Sequence, residues 1–123
     1  MRKIDTEAER VQLEKEREMV LEDIENLRES LRGEVDVDGD EGDPALAERE
    51  KNLALLITLE RKVESIDAAL RAIAKGQYGI CERCGEPIDP ARLEVRPDAT
   101  LCLDCQREVE RLARRSALRQ QGY

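Results

Sequence analysis

The chain has no histidine, no phenylalanine and no tryptophan, and its only aromatic residues are Tyr78 and Tyr123. Without histidine there is no side chain with an unperturbed pKa suited to general base work near neutrality. Without large aromatics, a core built within 123 residues must rely on Leu, Ile, Val and Ala. Such a core, in a chain of which 41% is charged, favours an elongated helical shape over one compact globule. Long apolar runs are missing too. The longest, residues 53–59, is far too short to span a bilayer, and the first residues lack the apolar centre of a signal peptide. A cytoplasmic location with no membrane partner is therefore expected. An excess of basic charge is also lacking: 21 Lys and Arg stand against 29 Asp and Glu, a net charge of −8. That balance argues against binding duplex DNA through its phosphates, where basic surface supplies most of the affinity.

What is present divides into two parts, expected as domains over residues 1–75 and 76–123. Residues 5–32 contain no Gly or Pro, and Leu13, Val20, Ile24, Leu27 and Leu31 recur at helical spacing, interrupted by Arg17. Residues 33–44 then hold three Gly, one Pro and six acidic side chains with no Lys or Arg, which predicts an acidic turn. Pro44 suits the first position of a second helix with Asp43 as its N-cap. In that helix Leu56, Leu59, Val63, Ile66, Leu70 and Ile73 alternate in steps of three and four, and Lys75-Gly76 marks its end. The short connection predicts that the two helices fold back as an antiparallel coiled-coil hairpin within one chain, hence a monomer. At about 1.5 Å per residue it would hold the acidic loop on the order of 40 Å out. A last short helix is predicted over residues 103–119, carrying Arg107, Arg111, Arg114, Arg115 and Arg119.

The most specific signal lies between these helices. Cys81-Glu-Arg-Cys84 and Cys102-Leu-Asp-Cys105 form two CxxC pairs separated by seventeen residues. Each pair turns two sulfurs toward one centre, and the quartet predicts one tetrahedral Zn2+ with Cys81, Cys84, Cys102 and Cys105 as ligands. Four thiolates leave no open position for water, so the zinc is structural. In place of an aromatic core it supplies roughly 10–16 kcal/mol of apparent folding energy. Two disulfides or a thiol redox pair are the less favoured alternatives, and the spacer is expected to make a two-stranded excursion. In the acidic turn, an EF-hand counted from Asp36 through Asp38 and Asp40 fails, because Glu41 stands where Gly is required and Ala47 where the bidentate Glu belongs. Nothing in the chain has the makings of a catalytic site, and no enzyme activity is expected.

Tyr78-Gly79, Cys81, Cys84-Gly85, Ile88, Arg92-Leu93, Pro97, Cys102 and Cys105 together resemble the zinc-finger signature of the DksA/TraR family. Asp40, Asp43 and Ala45 are similar to the Asp-x-x-Asp-x-Ala motif at that family's hairpin tip. The resemblance implies an all-α dominated fold: a coiled-coil hairpin, then a small four-cysteine zinc finger and a C-terminal helix. It implies a transcription regulator that binds bacterial RNA polymerase directly. In that role the hairpin enters the secondary channel, Asp40 and Asp43 act as effectors, Ala45 packs beside them, and no promoter DNA is contacted. The chain looks more like the family's shorter members, and its stretch from Asp43 to Cys81 is slightly shorter than in the long ones. In those, ppGpp meets basic residues on the second hairpin helix and one just after the fourth cysteine. The matching places here fall near Thr58 and Ser65 and at Gln106, so ppGpp dependence is not implied. A zinc-ribbon nucleic-acid-binding module and a coiled-coil adaptor are the alternative readings.

Overall fold

In a computed structural model, residues 6–33 and 44–120 are described, and these form four α-helices. They are α1 (Glu7–Gly33), α2 (Pro44–Ala74), α3 (Pro90–Val95) and α4 (Leu103–Gln120). The chain divides into two compact units, Met1–Asp67 and Ala68–Tyr123, so the last two turns of α2 belong to the second.

In the first unit, α1 and α2 run antiparallel. Leu13, Val20, Ile24 and Leu31 are the buried residues of α1, at the seven- and four-residue steps read from the sequence; Leu27 is half-buried. On α2, Ile66 is fully buried while Leu56, Leu59 and Val63 are half-buried. Leu53, Leu55 and Ile57 stay exposed, since two helices share only one stripe each. Charged residues line this seam. Arg17, which interrupts the apolar rhythm, reaches across to Asp67 at 2.7 Å. Lys62 meets Glu16 at 3.0 Å and Arg28 meets Glu60 at 3.6 Å. Low numbers on α1 thus pair with high numbers on α2, which sets the antiparallel direction. The acidic segment, with Asp40 and Asp43, lies outside the described residues; Ala45 is exposed in the first turn of α2.

Within the second unit, α2 stops at a glycine turn. The amide of Gln77 bonds the carbonyl of Ala72 at 2.8 Å and that of Gly76 bonds Ile73 at 3.1 Å, with Gly76 at φ +70°. This is a Schellman termination, whose left-handed position glycine alone occupies without penalty. The spacer between the cysteine pairs departs from the expected two-stranded excursion. It contains a six-residue helix, α3, whose N-cap Asp89 accepts from the amide of Ala91 at 3.0 Å and whose first residue is Pro90. Among the described residues, strand-like pairing is limited to one antiparallel bridge, Ile80 with Pro87. The Asp-Pro pair at 89–90 was a legible helix start, the same signature that opens α2 after Asp43.

Candidate metal centre

Each half of the cysteine quartet is shaped by its own backbone. The first pair sits on a tight turn: Gly85 donates to the carbonyl of Cys81 at 3.0 Å and lies at φ +77°. The amide of Cys81 in turn bonds Glu86 at 2.8 Å, and that of Ile88 bonds Gly79 at 2.7 Å. The second pair opens α4. The carbonyl of Cys102 accepts from Gln106 at 2.9 Å, and its Sγ accepts from the amide of Cys105 at 3.5 Å. Cys102 is therefore the N-cap of α4, with sulfur in the place of the usual side-chain oxygen.

The four Sγ atoms lie within 4.8 Å of one another, and Cys84 and Cys102 are 3.8 Å apart. A tetrahedron with Zn–S bonds of about 2.3 Å has edges of about 3.8 Å. The quartet therefore suits one Zn2+, which would draw the four sulfurs to edges of that length. All four cysteines are free, in keeping with the zinc reading rather than the two-disulfide alternative. Cys81 and Cys105 are buried and form a small core with Ile88, against which Leu93, Leu101 and Cys102 pack. A zinc held by the four cysteines would adjoin this core, which is too small to stand on apolar burial alone.

Metal-free, the Cys81 and Cys105 thiols hold their protons unequally. Burial pushes the Cys81 thiol up, but hydrogen bonds from the backbone of Cys84, Cys102 and Arg83, with the Cys84 side chain, outweigh it and bring it down to about 6. Cys105 is pushed up to about 12, first by its hydrogen bond with Cys102, then by burial and by Cys81 and Cys84, with Arg83 acting the other way. Crowded sulfurs cannot all ionise until a cation compensates them.

Residues around the quartet hold it in place. The hydroxyl of Tyr78, at the end of the α2 termination, donates to the carbonyl of Pro97 at 2.8 Å, in a buried position. Gly79 takes φ +84°, where a Cβ would face Leu93 Cδ1 at 3.5 Å. Arg92 donates from Nε to the carbonyl of Leu101 at 3.3 Å, just before Cys102. Beyond the zinc, residues 109–119 of α4 are all exposed, and Arg111 pairs with Glu108 at 3.0 Å.

This module matches a known family. Residues 76–111 fit the prokaryotic dksA/traR C4-type zinc finger. The chain is 38% identical over 101 residues to the RNA polymerase-binding transcription factor DksA of Caulobacter vibrioides, covering 80% of this chain and 70% of that protein. The chain belongs to the DksA/TraR family. A second relative, the protein of the same name from Haemophilus influenzae, is 36% identical over 95 residues, 76% of this chain and 66% of the relative. Among solved structures, transcription factor DksA2 from Pseudomonas aeruginosa superposes with a TM-score of 0.69 at 33% identity, covering 89% of this chain and 85% of that one. The all-helical reading, the hairpin, the four-cysteine cluster and one Zn2+ all agree with this membership, and the relatives are transcription factors rather than enzymes. No helix among the described residues is long and apolar enough to cross a membrane.

Two residues escaped the sequence reading. Arg83, inside the first CxxC, is a cation next to the Cys105 thiol. Arg49 bonds across the hairpin to Leu31. The first had a signal, since a cation beside a thiolate quartet offsets its charge; the second depends on the pairing of two helices and had none.

Proposed function

We propose that the chain is a cytoplasmic transcription regulator that binds bacterial RNA polymerase directly. Its hairpin enters the secondary channel and presents Asp40 and Asp43, with Ala45 packing beside them, near the active centre. Cys81, Cys84, Cys102 and Cys105 hold a structural zinc, and the finger with α4 docks at the channel rim. The observation that carries this reading is the co-occurrence, in one chain, of the antiparallel hairpin and the four-cysteine module over most of the length of an RNA polymerase-binding relative. A stiff pair of helices can hold carboxylates at the end of a narrow passage, where they act on a bound Mg2+ or on nearby cations. No enzymatic step and no promoter DNA contact is required. ppGpp is not needed, because Gln106, Ser65 and Thr58 supply no cation at the matching positions. The protein acts as a monomer, the two helices of the hairpin pairing within one chain.

The test is binding of the zinc-loaded protein to core polymerase in competition with a known secondary-channel binder, followed by transcription. Competition by both the wild type and Asp40→Asn/Asp43→Asn, with the transcriptional effect lost only in the variant, is the expected result. Absence of binding to a cognate polymerase overturns the reading. A second reading, nucleic-acid contact by the zinc half, draws on the exposed Arg111, Arg114, Arg115 and Arg119 of α4, where no acidic residue follows Glu110. It requires a salt-sensitive shift of nucleic acid by the protein.

A further inference from the structure

The end of the hairpin next to the acidic segment is thinly packed. From residue 44 to 61 no residue of α2 is buried, and Leu53, Leu55 and Ile57 are exposed. The fully buried Leu13 and Ile66 lie toward the opposite end. At Gly33, where α1 stops, nothing among the described residues lies within 4 Å of the position a Cβ would take. Apolar interlocking normally sets the register of paired helices; at this end α1 contributes the buried Leu31, but α2 has no buried residue to lock against it.

A polar contact crosses between the helices here. Arg49, in the second turn of α2, donates from Nη1 to the carbonyl oxygen of Leu31 at 2.9 Å, eighteen residues away in the chain. That carbonyl belongs to the last turn of α1, whose final four carbonyls have no partner within the helix. A cation is favoured there by the negative end of the helix dipole, and its hydrogen bond is charge-assisted. Leu31 is buried and Arg49 half-buried, which shields the bond from water. Neighbouring cations do not duplicate it. Arg32 pairs with Glu25 on its own helix, and the Arg28–Glu60 pair is longer, at 3.6 Å.

We propose that Arg49 is a positioning residue for the effector segment. Its bond to Leu31 ties the two stems flanking residues 34–43 and fixes their axial register, and so the point from which Asp40 and Asp43 are presented. The proposal rests on the polymerase reading for its functional half only. A slip of one residue moves a stem by about 1.5 Å, and misplacement of about 1 Å is enough to cost a positioned group most of its effect.

The experiment uses the full zinc-loaded chain as wild type, Arg49→Ala, Arg49→Lys and, as a control for charge, Lys51→Ala, which removes an exposed cation two residues away. Amide hydrogen exchange is read at residues 30–33 and 48–51, where the amides are bonded within α1 and α2, and polymerase competition and transcription are read alongside. In Arg49→Ala, exchange at both stems rises by about tenfold or more, with residues 62–66 unchanged. Polymerase binding stays within about threefold while the transcriptional effect falls by about tenfold or more, since register rather than docking is lost. Arg49→Lys recovers much of both, because a single carbonyl needs only one charged donor, and Lys51→Ala matches the wild type. Unchanged stem exchange in Arg49→Ala overturns the clamp. Faster exchange with an undiminished transcriptional effect, or with a parallel loss of polymerase binding, overturns the positioning role. A wild type that does not bind polymerase refutes the parent reading alone, and the exchange result still upholds or overturns the clamp.

Discussion

The hydroxyl of Tyr78 and the carbonyl of Pro97, nineteen residues apart, meet at 2.8 Å in the interior of the zinc unit. This bond ties the segment leaving α2 to the segment entering the second cysteine pair. It gives the chain's one described aromatic side chain a polar as well as an apolar role.

Tyr78→Phe keeps the ring and removes the donor. The zinc-loaded variant is expected to lose about 1–3 kcal/mol, the cost of leaving a buried carbonyl unpaired. Chemical denaturation measures the loss, and zinc stoichiometry stays at one per chain.

Gly79→Ala tests the backbone rather than the space. Contact with Leu93 Cδ1 at 3.5 Å is ordinary, but φ of +84° is strained for any L-residue. A loss of roughly 1–2 kcal/mol is expected from that strain. A wild-type melting curve would show that the turn readjusts.

Ile66→Ala removes a fully buried side chain of the hairpin. The expected cost is about 2–5 kcal/mol by denaturant titration. Leu55→Ala, at an exposed site, should stay within about 0.5 kcal/mol.

Zinc affinity should rise with pH. Cys105, pushed up to about 12 in the metal-free cluster, must surrender its proton to the incoming cation, so binding releases protons. Near pH 6 the Cys81 thiol, held down to about 6, also takes up a proton, and affinity falls more steeply. Competition with a chromophoric chelator between about pH 5.5 and 8 checks the slope; a flat profile would contradict it.

Much of this architecture was legible because it depends on local chemistry. The cysteine spacing, the glycines after α2 and after Cys84, and the steps from Leu13 to Leu31 each dictate a geometry on their own. What escaped was set by pairing at a distance. Arg17 interrupts an apolar pattern, and only the approach of Asp67 explains it. Arg49 has no sequence signal at all, since its partner is a backbone carbonyl of another helix. Helix α3 is a different case: its Asp-Pro start was visible, but six residues are too few to show a period. The tip aspartates rest on the family motif alone, and they are tested by the transcription assays above.

Because Cys102 is both a donor to the metal and the N-cap of α4, the ion and the helix share one atom. Removing the metal would free the Cys102 sulfur, and with it the contact that caps the Cys105 amide in the first turn of α4. Fraying should then spread toward Arg107 and Arg111. Far-ultraviolet ellipticity of the intact protein would therefore fall as a chelator is titrated in, and the arginines of α4 would be rigidly displayed only while the protein is charged with its ion.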